Sequence, residues 1–138
     1  MVKMNKKDLA LFCYPWDVID EGYDAIIDAV KRSGLNAIYI TVNYHSGMFF
    51  LPHSKKRKIY FPEPGALYFN PSSWHNNHIF QSPISNLTEN WSQFWEELSN
   101  QCKKNNIKLC AWMLGTHNSG IGNNYPNTSV YNLSLIHI

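Results

Sequence analysis

The sequence has neither a strong excess of one charge nor a long apolar run. Twelve basic and ten acidic residues give a net charge of +2, whereas proteins that bind nucleic acid or anionic membrane surfaces carry a marked basic excess. No segment has the roughly 20 consecutive apolar residues that a transmembrane helix needs. The apolar run LALFCY near the amino terminus is too short for a signal peptide and ends at Pro15 without a small-residue cleavage site. We predict a cytoplasmic protein with no nucleic-acid or membrane partner.

Paired cysteines and glycine-rich nucleotide motifs are also missing. Cys13, Cys102 and Cys110 form no CxxC pair, and Cys13 and Cys110 fall in strand-like apolar runs, where a free cysteine behaves as a small hydrophobic residue. There is no GxGxxG motif, and GTHNSGIG lacks the lysine of a phosphate-binding loop. These absences exclude a disulfide scaffold and a common nucleotide site, and we predict no cofactor and no bound metal.

Short apolar runs alternate with amphipathic segments along the chain. Residues 9–16, 36–44 and 107–114 are typical of strands buried on both faces. Between them, a segment with Asp17 as the expected N-cap and a segment over 89–104 place apolar residues at helical spacing. Alternating strands and helices predict an α/β fold with a parallel sheet.

A long segment, residues 45–86, separates the second strand from the second helix. It contains seven aromatic residues between Phe49 and Trp74, so we expect it to be ordered. It leaves the carboxyl end of its strand, where parallel α/β proteins build their binding sites. We expect the basic run at 55–58 to be a solvated loop and Asp20 to lie on the helix surface.

Several motifs resemble, in their order, the amino-terminal part of bacterial TIM-barrel proteins classed as glycosyl hydrolases or α-amylase-like proteins. They are YPWD after strand one, YHSG, LPH and PEPGALYF after strand two, and HNS after strand three. The resemblance covers residues 9–132. It implies an incomplete (β/α)8 barrel that contributes its first three parallel strands, their connecting helices and the long loop, with carbohydrate as the partner of the parent protein.

The last six residues, LSLIHI, are expected to be foreign to this domain. They are the translation of CTGTCTCTTATACACATC, which resembles a transposase end sequence used in sequencing libraries, and they follow a polar loop as an isolated apolar stub. We therefore expect residues 1–132 to be the barrel part and residues 133–138 to derive from an adapter. A TIM barrel needs roughly 250 residues, so we expect the parent protein to be longer.

Candidate binding residues follow the three strands. Tyr44 and His45 follow strand two and His117 and Asn118 follow strand three, so their side chains are expected to converge where neighbouring strands end. Imidazole and amide groups suit hydrogen bonds to sugar hydroxyls, and aromatic rings stack on sugar faces. The other candidates are Trp16 and Trp74 for stacking, and His53, Asp17 and Glu63 for hydrogen bonding. For Asp17 and Glu63, helix capping and turn formation are the alternative roles.

Glycoside hydrolysis requires two carboxylates that flank the scissile bond. In related barrels these lie on later strands, so we predict no catalytic residue in this chain and expect it to be inactive alone. Two alternatives remain open: a non-catalytic carbohydrate-binding barrel, and a metal-dependent enzyme similar to sugar isomerases with His45 and His117 as ligands. No third ligand at a typical spacing accompanies these two histidines.

Overall fold

Three parallel strands form the main sheet of the computed structural model, which describes residues 7–71 and 79–129. Along the chain the elements are β1 (Ala10–Cys13), α1 (Pro15–Glu21), α2 (Tyr23–Arg32), β2 (Ala37–Thr41), β3 (Phe49–Phe50), β4 (Ile59–Tyr60), α3 (Trp91–Lys104), β5 (Lys108–Trp112) and α4 (Ser119–Asn124), followed by a 3₁₀ turn at Pro126–Thr128. The sheet has the order β1-β2-β5 and is parallel throughout. The predicted α/β class is confirmed.

The core lies between one face of this sheet and helices α2 and α3. Ile38 and Ile40 on β2 are fully buried and belong to one apolar cluster with the inward stripes of both helices. Burying each such side chain stabilises the fold by about 1.5–3 kcal/mol. The stripes predicted from helical spacing are confirmed, and their buried members are Ile26, Ile27, Val30, Trp91, Phe94, Leu98 and Cys102.

The opposite face of the sheet is aromatic and partly open. Phe12 is 63% exposed, although its ring contacts Tyr39 and Trp112 edge-on at centroid distances of 5.5 and 6.0 Å. These residues lie on the three neighbouring strands and therefore form one continuous surface. Within the described residues, the sheet is therefore better covered on its helical side than on its aromatic side.

The helix predicted after β1 is two helices. Pro15 is the first residue of α1, a position that favours proline because its fixed φ suits the helix and no N–H is needed there. Gly22 has a φ of +95°, which glycine adopts readily, and it separates α1 from α2. The prediction of Asp17 as N-cap is wrong. Tyr14 is the N-cap, and the Asp17 carboxylate accepts the Tyr14 backbone N–H at 3.0 Å.

The basic run of the long loop contacts α1 through Arg57. The prediction of a solvated segment is confirmed for Lys55, Lys56 and Lys58, which are exposed, and is wrong for Arg57. Arg57 Nε lies 2.9 Å from Oδ2 of Asp20, whose side chain is completely buried. Ser54 donates to the same oxygen at 3.1 Å, and Lys58 Nζ donates to the Ser54 carbonyl at 2.8 Å. The prediction of Asp20 as a surface residue is also wrong, because the ion pair with Arg57 offsets the cost of burying its charge.

The rest of the long segment is ordered as expected where it is described. It contains the antiparallel hairpin β3–β4 and isolated bridges that tie Leu67 to Asn43 and Ile84. A short helix, α4, lies in the region where a Gly- and Asn-rich composition suggested a loop. Trp74 and the segment 133–138 lie outside the described residues. Within the described ranges, no helix has the length and apolar character to cross a membrane.

Candidate functional site

The carboxyl ends of β2 and β5 are joined by the side-chain amide of Asn43. Its Oδ1 accepts the backbone N–H of Leu114 at 2.9 Å, and its Nδ2 donates to the Leu114 carbonyl at 3.0 Å. The amide thereby continues the pairing of the two strands beyond their last backbone bond. Residues that follow Asn43 and residues that follow Leu114 are consequently held at the same edge of the sheet.

At this edge the structure brings His45 and His117 together. Their ring centroids are 4.5 Å apart and the ring planes are inclined at 48°. His45 is half-buried and His117 is exposed, so both rings are accessible from solvent. The Nδ1 atom of His45 contacts the carbonyl oxygen of Ser46. A carbonyl only accepts hydrogen bonds, so in the neutral ring Nδ1 carries the proton and Nε2 holds a free lone pair.

Two serines connect the loops that carry these histidines. Ser119 Oγ accepts the Ser46 backbone N–H at 3.2 Å and lies 3.1 Å from Ser46 Oγ. The two residues are 73 positions apart in sequence, so this contact fixes one loop against the other. Sequence reasoning missed both serines. The available signal was their position directly after His45 and Asn118 in the YHSG and HNS motifs.

Tyr44 lies at the base of the histidine pair, within an aromatic cluster. Its ring stacks on His45 at 4.5 Å and 22° and contacts Tyr14, Phe49 and Trp112 edge-on at 5.4, 5.3 and 6.3 Å. Burial, together with a hydrogen bond to Tyr44, raises the pKa of Tyr14 above its ordinary value. The Tyr14 phenol is therefore a neutral donor and acceptor at physiological pH. The site combines imidazole, phenol and hydroxyl groups on an aromatic base.

Asn118 has a structural role at the edge of the same site. Its Oδ1 accepts the Ile121 N–H at 2.9 Å as N-cap of α4, and its Nδ2 donates to Ser82 Oγ at 3.2 Å. The loop at Gly65 packs so closely that a Cβ there would lie 2.0 Å from Asn118 Oδ1. Asn118 thus joins α4 to the long loop, and its amide is occupied by these contacts.

Trp16 is not positioned to stack on a ligand. It is fully buried, and its ring stacks on Tyr14 at 4.5 Å with an angle of 10°. It also contacts Tyr60 and Tyr68 at 4.9 and 5.7 Å. Because Trp16 is the second residue of α1, the helix directs its large ring into the core rather than over the strand ends.

Asp17 and His53 line a separate cavity of about 310 Å³ beside β1. Its wall also includes Glu21 and the exposed Phe12. Burial raises the pKa of Asp17 to about 6, and the nearby charge of Glu21 acts in the same direction. The structure therefore places Asp17 and His53, two of the other predicted binding residues, away from the histidine pair.

Glu63 is held by a hydrogen-bond network within the long loop. Its carboxylate accepts from Tyr60 Oη at 3.2 Å, from Ser85 Oγ at 3.1 Å and from the Asn86 N–H at 3.2 Å. These bonds connect the end of β4 to the segment before α3. These contacts agree with the alternative role that the sequence indicated for Glu63, which is a structural role in the turn.

The strand ends present side chains that can donate and accept hydrogen bonds. Within residues 7–71 and 79–129 there is no group of three or more His, Cys, Asp or Glu side chains that could hold a metal ion. The carboxylates discussed above, Asp17 and Glu63, are engaged elsewhere. The accessible groups are the two imidazoles, the Ser46 hydroxyl and the rim of Tyr44, which donate and accept hydrogen bonds without a fixed charge.

Comparison with protein-family models, with curated proteins and with solved structures finds no match to this chain.

Proposed function

We propose that this chain forms the first three strands of a (β/α)8 barrel that binds carbohydrate at the carboxyl ends of those strands. The parent protein in this proposal is a glycoside hydrolase or a close relative. The binding groups are His45, His117 and Tyr44, and Ser46 with Ser119 sets their positions.

The sheet gives two reasons to favour a barrel. Its strands follow one another in space in the order in which they occur in the chain, as the strands of a TIM barrel do. The face formed by Phe12, Tyr39 and Trp112 is aromatic and partly open, while the other face is covered by α2 and α3. Barrel strands have helices outside and packed side chains inside, and further strands would cover this open face.

The observation that supports the binding proposal is that the His45 ring contacts His117 and also stacks on Tyr44. The three side chains come from two loops at the carboxyl edge of neighbouring parallel strands, which is the edge that binds ligands in this class of fold. Hydrogen-bond donors and acceptors beside an aromatic ring match the alternating hydroxyl and C–H surfaces of a sugar.

Binding without hydrolysis is what we expect of this chain alone. Hydrolysis needs an acid and a second carboxylate on opposite sides of the glycosidic bond. Glu63 is bound within its own loop and Asp17 lies in the cavity beside β1. A non-catalytic carbohydrate-binding barrel is the second candidate, and the same histidine pair supports it equally.

The test is calorimetric titration of the chain with a panel of neutral gluco-, galacto-, manno- and xylo-oligosaccharides. We expect at least one of them to bind, and His45→Ala combined with His117→Ala to weaken that binding about tenfold or more, since each lost hydrogen bond contributes about 0.5–1.5 kcal/mol. His53→Ala is the matched control, because this histidine lines the other cavity. Absence of binding across the panel, or equal loss in the control, would contradict the proposal.

A further inference from the structure

A groove of about 440 Å³ lies between α4 and the long loop. Residues 81–83 and Pro64 form the loop wall, and Gly120, Asn123 and Asn124 form the α4 wall. The walls meet where Gly120 packs on Pro64, so closely that a Cβ at Gly120 would lie 2.2 Å from the Pro64 carbonyl oxygen. We propose that this groove binds one neutral sugar unit of an oligosaccharide that also occupies the histidine pair. That the ligand is a carbohydrate rests on the function proposed above.

The size and chemistry of the groove suit such a ligand. Its volume lies in the range of roughly 300–1,000 Å³ that is typical of small-ligand sites. Three of its seven lining residues carry side-chain amides and Ser82 carries a hydroxyl, and no charged residue is among the described residues that line it. Amides and hydroxyls donate and accept hydrogen bonds, as sugar hydroxyls do. A phosphate or carboxylate ligand would call for basic partners instead.

The amides of Asn123 and Asn124 are available to a ligand. Both residues are exposed, and their side chains make no hydrogen bond to any part of the chain that the structure describes. Asn118 differs from them, because its amide is occupied by Ile121 and Ser82. A ligand can therefore bond to Asn123 and Asn124 without breaking contacts within the protein.

The two walls of the groove are also fixed relative to each other. Asn118 Nδ2 donates to Ser82 Oγ at 3.2 Å, which joins the start of α4 to the loop wall. Phe80 directly precedes the loop wall and Tyr125 directly follows α4, and their rings meet edge-on with 5.0 Å between the centroids. Walls that are positioned in advance lose less conformational entropy when a ligand binds.

The groove is close to the histidine pair because one loop serves both. His117 precedes Gly120 by three residues, so their Cα atoms are at most about 11 Å apart. Ser119, which lies between them, accepts the Ser46 backbone N–H at 3.2 Å beside the histidine pair. A short oligosaccharide can span this distance, so neighbouring units of one ligand can occupy both places.

The experiment is calorimetric titration of the chain with the monosaccharide, disaccharide and tetrasaccharide of the gluco-, galacto-, manno- and xylo- series. In at least one series we expect the tetrasaccharide to bind about tenfold or more tightly than the monosaccharide, because it adds hydrogen bonds in the groove. Asn123→Ala combined with Asn124→Ala should remove most of this gain and leave monosaccharide binding unchanged. Asn127→Ala is the matched control, because this exposed asparagine follows α4 and lies outside the groove.

A second measurement detects the contact directly. Nitrogen–proton correlation spectra would follow the side-chain amide signals of Asn123 and Asn124 during titration with the tetrasaccharide, each assigned by its loss in the corresponding alanine variant. Both signals should shift to saturation while that of Asn127 stays in place. Equal affinity for all lengths, an equal loss in Asn127→Ala, or unmoved Asn123 and Asn124 signals would overturn the groove proposal.

The same titrations separate this proposal from the function proposed above. Monosaccharide binding that is lost in the double histidine variant but does not strengthen with length supports the histidine site and contradicts the groove. Length-dependent binding that is lost in the double asparagine variant but kept in the double histidine variant supports a sugar site in the groove and contradicts one at the histidine pair. Absence of binding in every series contradicts both.

Discussion

Asn43 and Leu114, 71 residues apart, are joined by two hydrogen bonds of 2.9 and 3.0 Å between a side-chain amide and a backbone peptide group. These two bonds hold the carboxyl ends of β2 and β5 side by side. The loops that begin there carry His45 and His117. The relative position of the two histidines therefore depends on the Asn43 side chain as well as on the loops that carry them.

Asn43→Ala should destabilise the fold by about 2 kcal/mol, because both bonds are lost and the backbone groups of Leu114 are partly buried. The measurement is the free energy of unfolding from urea denaturation. Asn100→Ala, at an exposed position on α3, is the control and should change that free energy by less than about 0.5 kcal/mol. Equal effects of the two substitutions would show that the Asn43 bridge contributes nothing specific.

Arg57→Met should destabilise the fold by about 3 kcal/mol. Methionine keeps most of the apolar stem but leaves the Asp20 carboxylate buried without its cation, and breaking a buried pair from one side is costly. The expected value is at the low end of the usual range because Arg57 is itself 31% exposed. Lys55→Met, at an exposed position of the same basic run, should have little effect on the urea midpoint. A similar shift in both variants would contradict the fastening of this loop to α1.

Folding stability should decrease as the pH rises from about 4 to about 6, through the titration of Asp17. Burial raises the pKa of this carboxyl from 3.8 to about 6 in the folded chain. Between those values the folded state binds more protons than the unfolded state, so stability falls with increasing pH and then levels off. In Asp17→Asn this decline should disappear, whereas Asp24→Asn, on the exposed side of α2, should retain it. Thermal unfolding followed across this pH range makes the comparison, and an unchanged profile in Asp17→Asn would refute the assignment.

Gly120→Ala should be destabilising even though alanine is the better helix former. A Cβ at position 120 would lie 2.2 Å from the Pro64 carbonyl oxygen, so α4 would have to move away from the long loop. We expect a loss of about 1–3 kcal/mol in the free energy of unfolding. Gly115→Ala is the matched control, since no other atom lies within 4 Å of a Cβ there. A Gly120→Ala protein as stable as the control would mean that this close packing is absent in solution.

The parallel strands and the helical stripes were predictable because they depend on local periodicity. Ile38 and Ile40 lie in a continuous apolar run, and Phe94 and Leu98 recur at helical spacing, so their burial follows from pattern alone. The break at Gly22 was missed because the apolar stripe continues across it from Ile19 to Ile26. The spacing of apolar residues shows which side of a helix faces the core, but it does not reveal where the helix is interrupted.

Contacts between distant segments could not be predicted from local periodicity. Asp20 lies next to acidic surface positions of α1 and was assigned to the surface, but a loop 37 residues later returns to pair with it through Arg57. Trp16 was expected at the strand ends because it follows β1. It is instead the second residue of α1, and its ring is buried in the core. The proximity of His45 to His117 was predictable because neighbouring parallel strands end at the same edge. The contact between Ser46 and Ser119 that holds the two loops together could not be predicted, because it depends on how both loops fold.

The most direct test of the binding site uses the side-chain resonances of the histidines. Carbon–proton correlation spectra of the chain would be recorded during titration with the oligosaccharide that binds best in calorimetry. The account predicts that the ring signals of His45 and His117 shift together along one saturating curve while those of His53 stay in place. If saturation with the oligosaccharide shifts the ring signals of neither His45 nor His117, or of His53 alone, the result would contradict a carbohydrate site at the ends of β2 and β5.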